Sequence, residues 1–473
     1  MPEDRYIHEM PLVVTPRQAK VLDQRFEAAR MIYNTALQEG LKRLRLMRES
    51  KDWHKARALK KAGKKKEANA LYNDVRRRFK FSEYELQAVA QLRNNAPHIA
   101  PMIDSQTAIA QTNRAFRACE HHLFVTGRGY PRFKRYNTLN TVESKNNRQG
   151  IVFRENKVIW NTGRGNKNKL EFPVKFDPKD KHGVEAAALQ DEIKFCRLKR
   201  EVVNGKKRFS VQLVLDGKPK DRPNTMTTDG TVGLDLGPST IAWVSDDKSE
   251  FKKFCEEIDP VVKQKRLIQR KMQRSLRANN PDNYEPDELK KNANGKIIRK
   301  LGKVKKGPKT WVHSKRYLAL KDELAKAERK IRETRDKLQG ELANEILRQG
   351  SLVRTEKLSY KSFQKNFGRS VRDRAPGMFI EKLKRRADHL GATVEEINTF
   401  KTYLSSRCHN CGTKKKKTRK ERQHICECGV SAHRDLYSAW LARYVENDVL
   451  DVSQCQKHWA SAEPRLGRVT SSA

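Results

Sequence analysis

Four cysteines crowd into a short stretch as Cys408-x-x-Cys411 and Cys426-x-Cys428, on either side of a loop that contains Lys414 to Lys417. Four thiolates at this spacing can close a tetrahedral zinc site, so two knuckles must meet in space whatever the rest of the chain does. The second pair has one intervening residue where two are commoner, yet short knuckles of this kind still chelate. His409 and His424 are fallback ligands. A full set of cysteines leaves no open coordination position, and the expected role of one zinc ion is therefore structural. Cys119, Cys196, Cys255 and Cys455 stand singly. That pattern fits metal binding in a reducing cytoplasm better than a disulfide framework.

The charge balance narrows the function classes. Lys and Arg together number 102 against 57 Asp plus Glu, a formal net charge of +45. Such a chain repels itself unless its working state includes a polyanion, because phosphates neutralise the cations and released counterions drive binding. Nucleic acid is the expected partner. No long amphipathic basic helix suggests an anionic membrane surface. The start Met1-Pro2-Glu3-Asp4-Arg5 is neither basic nor followed by an apolar run, against a secretory signal, and no stretch reaches the length of a membrane span.

At 473 residues the chain exceeds one ordinary hydrophobic core, so two domains or one with large insertions are expected. Tyr6 to Val14 reads as a strand, and Thr15-Pro16 opens a helical region through N-cap and first-turn proline chemistry. Val21, Leu22, Phe26, Ala29, Ile32 and Leu37 recur near helical spacing, and the helical block spans about 15–125 with a basic break at Lys60 to Lys66. Strand signals follow between Gly127 and Gly217, including a hairpin of Phe195–Val203 with Arg208–Leu215 turned by Asn204-Gly205. We read a small β-barrel closed by the first strand, with the helical block as an insertion. Lys218 to Gly230 looks like a linker, which sets the expected domains at 1–228 and 229–473.

The second domain begins with three expected strands, Val232–Leu236, Thr240–Ser245 and Glu250–Phe254. A polar stretch from Leu276 to Lys309 then interrupts two helical segments and reads as mobile. Leu324, Ile331 and Leu338 lie seven apart on a long helix, although three heptads are too few to insist on a coiled coil. The cysteine insertion spans about 401–432, and the tail, about 450–473, is expected to be disordered. The fold class is thus α+β and multidomain.

Three acidic residues carry the chemical reading. In Thr231-Val-Gly-Leu-Asp-Leu-Gly237, apolar Val232, Leu234 and Leu236 alternate with Gly233, Asp235 and Gly237, so one strand face presents a single carboxylate. The flanking glycines suggest room for a bulky substrate and its ions at the backbone. Glu356 ends a short expected strand, and Asp435 opens an expected helix in Ala432-His-Arg-Asp-Leu-Tyr-Ser-Ala439. Alone, each has an ordinary structural reading, the last as an acid favoured by a helix dipole. Their order, strand Asp, two strands, helix, strand Glu, helix, strand, helix Asp, is that of an RNase H-like nuclease. Clustered carboxylates repel unless divalent cations sit between them, and Mg²⁺ suits oxygen ligands and phosphate. Two ions about 4 Å apart would activate water and steady the leaving oxygen during phosphodiester hydrolysis.

Taken together, these residues resemble the TnpB family of transposon-encoded RNA-guided nucleases and the related miniature type V CRISPR effectors. The likeness rests on Thr15-Pro-Arg-Gln18, Arg30-Met-Ile-Tyr-Asn-Thr-Ala-Leu37, Tyr130-Pro-Arg-Phe-Lys134, Gly233-Leu-Asp-Leu-Gly237, Thr355-Glu-Lys-Leu358, the cysteine pairs and Arg434-Asp435, all in family order. It implies a wedge β-barrel with a helical recognition insertion, followed by a RuvC nuclease domain interrupted by a zinc-bearing module that binds target nucleic acid. It also implies a bound guide RNA that reads target DNA by pairing, while the protein reads a short flanking motif. Asp235, Glu356 and Asp435 would be catalytic and hold Mg²⁺, Cys408, Cys411, Cys426 and Cys428 would hold zinc, and Arg132, Phe133, Lys134 and Lys414, Lys415, Lys416 and Lys417 would contact nucleic acid. A cytoplasmic bacterial or archaeal setting, in use at the nucleoid, and a monomer without membrane attachment are expected. The chain departs from the family at His433-Arg434-Asp435-Leu436-Tyr437, where Asp-Arg-Asp-x-Asn is usual. The altered surroundings leave an RNA-guided, repressor-like DNA-binding protein with weak cleavage as the alternative. A strand-transferring transposase would share the carboxylates without needing a guide.

Overall fold

The computed structural model describes all residues except 1–3, 126, 163–167, 222–225, 292–294, 419–420 and 468–473. Two compact units divide between Arg222 and Pro223. This junction falls inside the expected linker, of which residues 222–225 lie outside the described residues.

The first unit runs β1 (Arg5–Pro11), α1 (Pro16–Glu49), α2 (Lys51–Lys61), α3 (Lys65–Arg78), α4 (Glu83–Asn94) and α5 (Ser105–Phe124). Next come β2 (Thr141–Glu143), β3 (Ile151–Arg154), β4 (Lys157–Asn161), β5 (Lys169–Pro173), the short α6 (Val184–Ala188), β6 (Ile193–Val203) and β7 (Lys206–Asp216). Thr15 caps α1 in a capping box with Gln18, and Pro16 occupies the first turn, where its missing N–H costs nothing. The β6–β7 hairpin turns at Asn204 and Gly205 with φ of 53° and 75°, the mirror-image turn that suits strand twist. The strands form two sheets, β1-β7-β6-β2 and β3-β4-β5, bridged at Leu12–Val174 and sharing one core that includes Trp160, Phe172, Leu198 and Val211. The expected barrel therefore takes the form of two sheets around a common interior, and no continuous ladder closes it among the described residues.

The second unit runs β8 (Thr231–Leu236), β9 (Thr240–Val244), β10 (Ser249–Lys253), α7 (Asp259–Ala278), β11 (Glu288–Lys291), β12 (Ile297–Lys300) and α8 (Lys315–Leu347). It continues with β13 (Leu352–Glu356), α9 (Tyr360–Arg374), α10 (Pro376–His389), β14 (Thr393–Ile397) and the single turn α11 (Thr399–Thr402). The chain ends with β15 (Gln423–Ile425), β16 (Ser431–His433), α12 (Arg434–Ala442), β17 (Val445–Glu446), β18 (Val449–Leu450) and α13 (Val452–Leu466). Five strands form one sheet in the order β10-β9-β8-β13-β14. The first three meander antiparallel, while β13 and β14 run parallel to β8, reached through helical crossovers.

Helices cover both faces of this sheet. Val232, Leu234 and Leu236 pack with Ile331, Ile346, Phe379 and Leu383 of α8 and α10. On the other face Ala242 and Val244 pack with Leu436, Ala439, Trp440 and Leu466 of α12 and α13. Arg443 ties the latter layer down by donating to the carbonyls of Thr231 and Ser245, and Arg354 of β13 donates to the carbonyl of Arg443 at 2.7 Å. Covering both faces removes most of this sheet's apolar surface from water, the main favourable term in its stability.

One expectation needs correction, and one region holds structure that its sequence pattern does not announce. The tail, expected to be disordered over 450–473, instead carries α13, whose Cys455, Ala462 and Leu466 are buried, because α12 leaves an apolar face that this helix covers. The polar stretch Leu276 to Lys309, read as mobile, contains the antiparallel ribbon of β11 and β12. Its residues are exposed and carry no periodic apolar face, so pattern reading finds no strand in it.

Candidate active site and cysteine centre

Alternation on β8 decides where Asp235 points. With Val232, Leu234 and Leu236 in the α8–α10 layer, Gly233 and Asp235 face α12. Gly233 is required by that helix: a Cβ there would lie 1.8 Å from the Ala439 carbonyl oxygen. Gly237 accompanies a tight return in which its N–H donates to the Thr240 carbonyl at 3.0 Å. The glycines thus serve helix approach and a turn, which corrects the reading that they open space for substrate and ions.

Parallel pairing of β13 with β8 sets Arg354 beside Gly233 and Thr355 beside Leu234. Carrying that register one residue on brings Glu356 next to Asp235, across a strand spacing of about 4.8 Å. The third acid arrives from α12. His433 caps that helix, and Asp435 sits in its first turn, where the dipole favours negative charge. Ser438, one turn on, is buried. Its hydroxyl has no partner of standard geometry among the described residues, yet lies near enough to Asp235 to favour the charged form.

The electrostatics record this convergence. Burial, followed by repulsion from Glu356 and Asp435, raises the Asp235 carboxyl well above the usual carboxylate range. The residue itself is only part-exposed, so surrounding protein mass and two like charges act on one group. Burial also pushes Glu356 up to about 7. Glu356 is 9% exposed, and its buried Oε1 has no hydrogen-bond partner among the described residues. Asp435 is held differently: Arg434 Nε donates to Oδ1 at 2.9 Å and Arg422 Nη1 lies 3.5 Å from Oδ2. Tyr360, at the start of α9, also feels this site, since burial and then the Asp235 charge push its phenol up. Ser438, Arg422 and Tyr360 carried no signal in sequence, because each reaches the site through packing of distant elements.

The cysteine centre is tighter. Cys408 and Cys428 sulfurs lie 3.5 Å apart and Cys411 and Cys426 sulfurs 3.3 Å apart, and all four lie within 4.8 Å of one another. Tetrahedral ligation at a Zn–S distance of about 2.3 Å needs sulfurs about 3.8 Å apart, so the four side chains fit a single metal ion. Among the described residues this is the one group of three or more potential ligands drawn in so closely; the three carboxylates are not. Neither His409, whose ring meets the Tyr437 hydroxyl at 2.7 Å, nor His424, whose ring meets Lys417 Nζ at 2.6 Å, joins the sulfurs. Cys119, Cys196, Cys255 and Cys455 are all buried and free.

The expected nucleic-acid contacts divide. Lys414, Lys415 and Lys416 are exposed, whereas Lys417 turns inward to His424 and the Ser405 carbonyl, which corrects its assignment to a strand contact. Arg132 and Phe133 are exposed, while the Lys134 backbone is clipped to α1 by both side-chain atoms of Asn34 at 2.9 Å. No described helix is long and apolar enough to cross a membrane.

Comparison with known proteins agrees with this anatomy. Residues 377–441, from α10 through both cysteine pairs to α12, match the family model of the Cas12f1-like TNB domain. No curated protein sequence matches the chain. A solved structure of a Cas12f1–sgRNA–target DNA complex is similar over 90% of this chain and 82% of that one, at 13% identity and a TM-score of 0.51. A CRISPR-Cas12f ternary complex aligns over 92% of this chain and 82% of that one, at 14% identity and a TM-score of 0.33. The chain therefore carries a Cas12f1-like TNB segment within a fold like that of Cas12f1.

Proposed function

We propose that this protein is an RNA-guided DNA endonuclease that hydrolyses phosphodiesters of a guide-matched target beside a short flanking motif, with guide RNA and target DNA as its partners. What supports this reading is that Asp235 feels the charges of Glu356 and Asp435, which reach it from an adjacent parallel strand and from the first turn of a helix. The similar Cas12f1 structure contains a single-guide RNA and target DNA, and the +45 charge of this chain suits two such polyanions.

Magnesium fits the acidic site: an Asp235 carboxyl raised by burial and by the charges of Glu356 and Asp435, with an orphaned buried Glu356 oxygen beside it, is what divalent cations would stabilise. When bound, two such ions supply an activated water and neutralise charge on the leaving oxygen. The chain's own residues do the rest. Asp235 and Glu356 present oxygens from adjacent strands of the sheet, and Asp435 closes the site from α12. Arg422 and Arg434 balance the charge of Asp435. Zinc fits the four sulfurs and would brace the segment leading into Asp435, since Cys408 belongs to the same core as Leu436. Arg132, Phe133, Lys414, Lys415 and Lys416 offer exposed cationic and aromatic contacts to nucleic acid. A cytoplasmic setting fits these partners.

Purified protein with its guide RNA and Mg²⁺ should cut a matched duplex and spare an unmatched one. The second reading, guided binding with weak cleavage, is favoured by the arginine pair on Asp435 and by Tyr437 in place of the usual Asn. Tight guide-dependent binding with no product after prolonged incubation would replace the first reading by the second.

A further inference from the structure

The β11–β12 ribbon has no part in either site, yet it is built with care. Its neck is pinned by Asp287, which accepts from Arg277 at 2.5 Å, Arg299 at 2.7 Å and the Gly302 backbone N–H at 2.7 Å. Arg277 also donates to the Gly302 carbonyl at 3.0 Å and lies over the Tyr284 ring at 4.5 Å. Asn280 bonds both backbone groups of Val312, at 2.7 and 2.9 Å. This polar clamp joins the start of the stretch, at the end of α7, to its end, before α8.

Beyond the neck all eight strand residues are exposed, Leu289 at 75% and Ile297 at 62%, and among the described residues no other strand pairs with either edge. An isolated two-stranded ribbon is marginal in water, so one pinned at its base and exposed along both strands is expected to meet a partner. Its chemistry identifies that partner. Lys290, Lys291, Lys296, Lys300, Lys303 and Lys305 line the ribbon and its stem, while Glu288 is the acid on its strands. Leu289 and Ile298 intersperse apolar contacts suited to base methyl groups and sugars.

A two-stranded ribbon fits the major groove of B-form DNA, whereas the deep, narrow major groove of A-form RNA does not admit it. We propose that the β11–β12 ribbon is a duplex-DNA grip, entering the major groove of B-form DNA outside the guide-paired stretch. The proposal rests on DNA being a partner of this chain but does not depend on guided cleavage.

The test uses the full chain without guide, a B-form DNA duplex, and an RNA duplex of the same length. The variant is Lys290→Gln/Lys291→Gln/Lys300→Gln, with the matching triple Lys→Arg variant as the control that keeps charge. The glutamine variant should lower the salt slope of DNA binding by about 0.9 per lost phosphate contact and leave RNA-duplex binding unchanged. The parental chain should shield guanine N7, a major-groove atom, from methylation; the glutamine variant should lose that shield and the arginine variant keep it. Unchanged DNA binding and N7 protection, or an equal loss on both duplexes, would overturn the proposal. Failure of guided cutting with these results intact would count against the endonuclease reading alone.

Discussion

The cysteine and carboxylate centres both gather ligand-type side chains, but they are made in opposite ways. Four sulfurs come from one short stretch, folded by two knuckles, and lie within 4.8 Å of one another. Three carboxylates come from two strands and a helix far apart in sequence, and only the five-stranded sheet brings them together. The local centre can therefore form wherever its segment folds, while the assembled one depends on the packing of α12 against β8. The two are coupled through one core, to which Cys408, Leu436 and Ala439 all belong.

The largest test removes the assembled centre's chemistry without touching the local one. Asp235→Ala should slow guide-dependent cutting about 10⁴-fold, or about 5 kcal/mol of barrier, with zinc content unchanged. Cutting at the parental rate in single-turnover measurements would sink the carboxylate assignment. Cys408→Ser attacks the local centre: one equivalent of zinc should be lost and stability should fall by about 4 kcal/mol, read by metal analysis and denaturant unfolding. Full zinc content in that variant would show that the sulfurs do not form one site.

Gly233→Ala probes the joint between the two. The added Cβ meets the Ala439 carbonyl, a backbone atom that cannot yield cheaply, so about 3 kcal/mol of destabilisation is expected along with slower cutting. An unperturbed thermal midpoint would mean that α12 does not seat on β8 as described.

The smallest effect has the opposite sign. Burial raises the Glu356 carboxyl from its ordinary 4.5 to about 7, so the unfolded chain releases this proton first. The group's contribution is therefore most favourable below 4.5 and declines as pH rises from 4.5 to about 7. Without divalent ions, Glu356→Gln should raise stability at pH 7 by about 2 kcal/mol and flatten that decline, while cutting is lost. A parental pH profile retained in the variant would assign the decline to another group.

Much of this was legible because it is local or periodic. Thr15-Pro16 names a helix start, Asn204-Gly205 names a hairpin turn, and alternation at Val232, Leu234 and Leu236 sends Asp235 to the opposite face. The ribbon at Glu288–Lys300 and the helix at Val452–Leu466 were not legible, since the first shows no apolar alternation and the second is ordered by the α12 layer. The reason for Gly233 was hidden as well, because the atom it avoids belongs to a helix two hundred residues later in the chain.

By itself the sequence determined the zinc-type ligand set, the polyanion-seeking charge and the order of strands and helices that carry the acids, because these depend on residue identity and short-range periodicity. Only the tertiary structure decided that Glu356 stands beside Asp235, that Lys417 turns inward, and that Arg422, Arg434 and Ser438 surround the acids. Proximity between distant segments is fixed by strand register and by which helix covers which face. Both are properties of the packed core, and no short window of residues contains them.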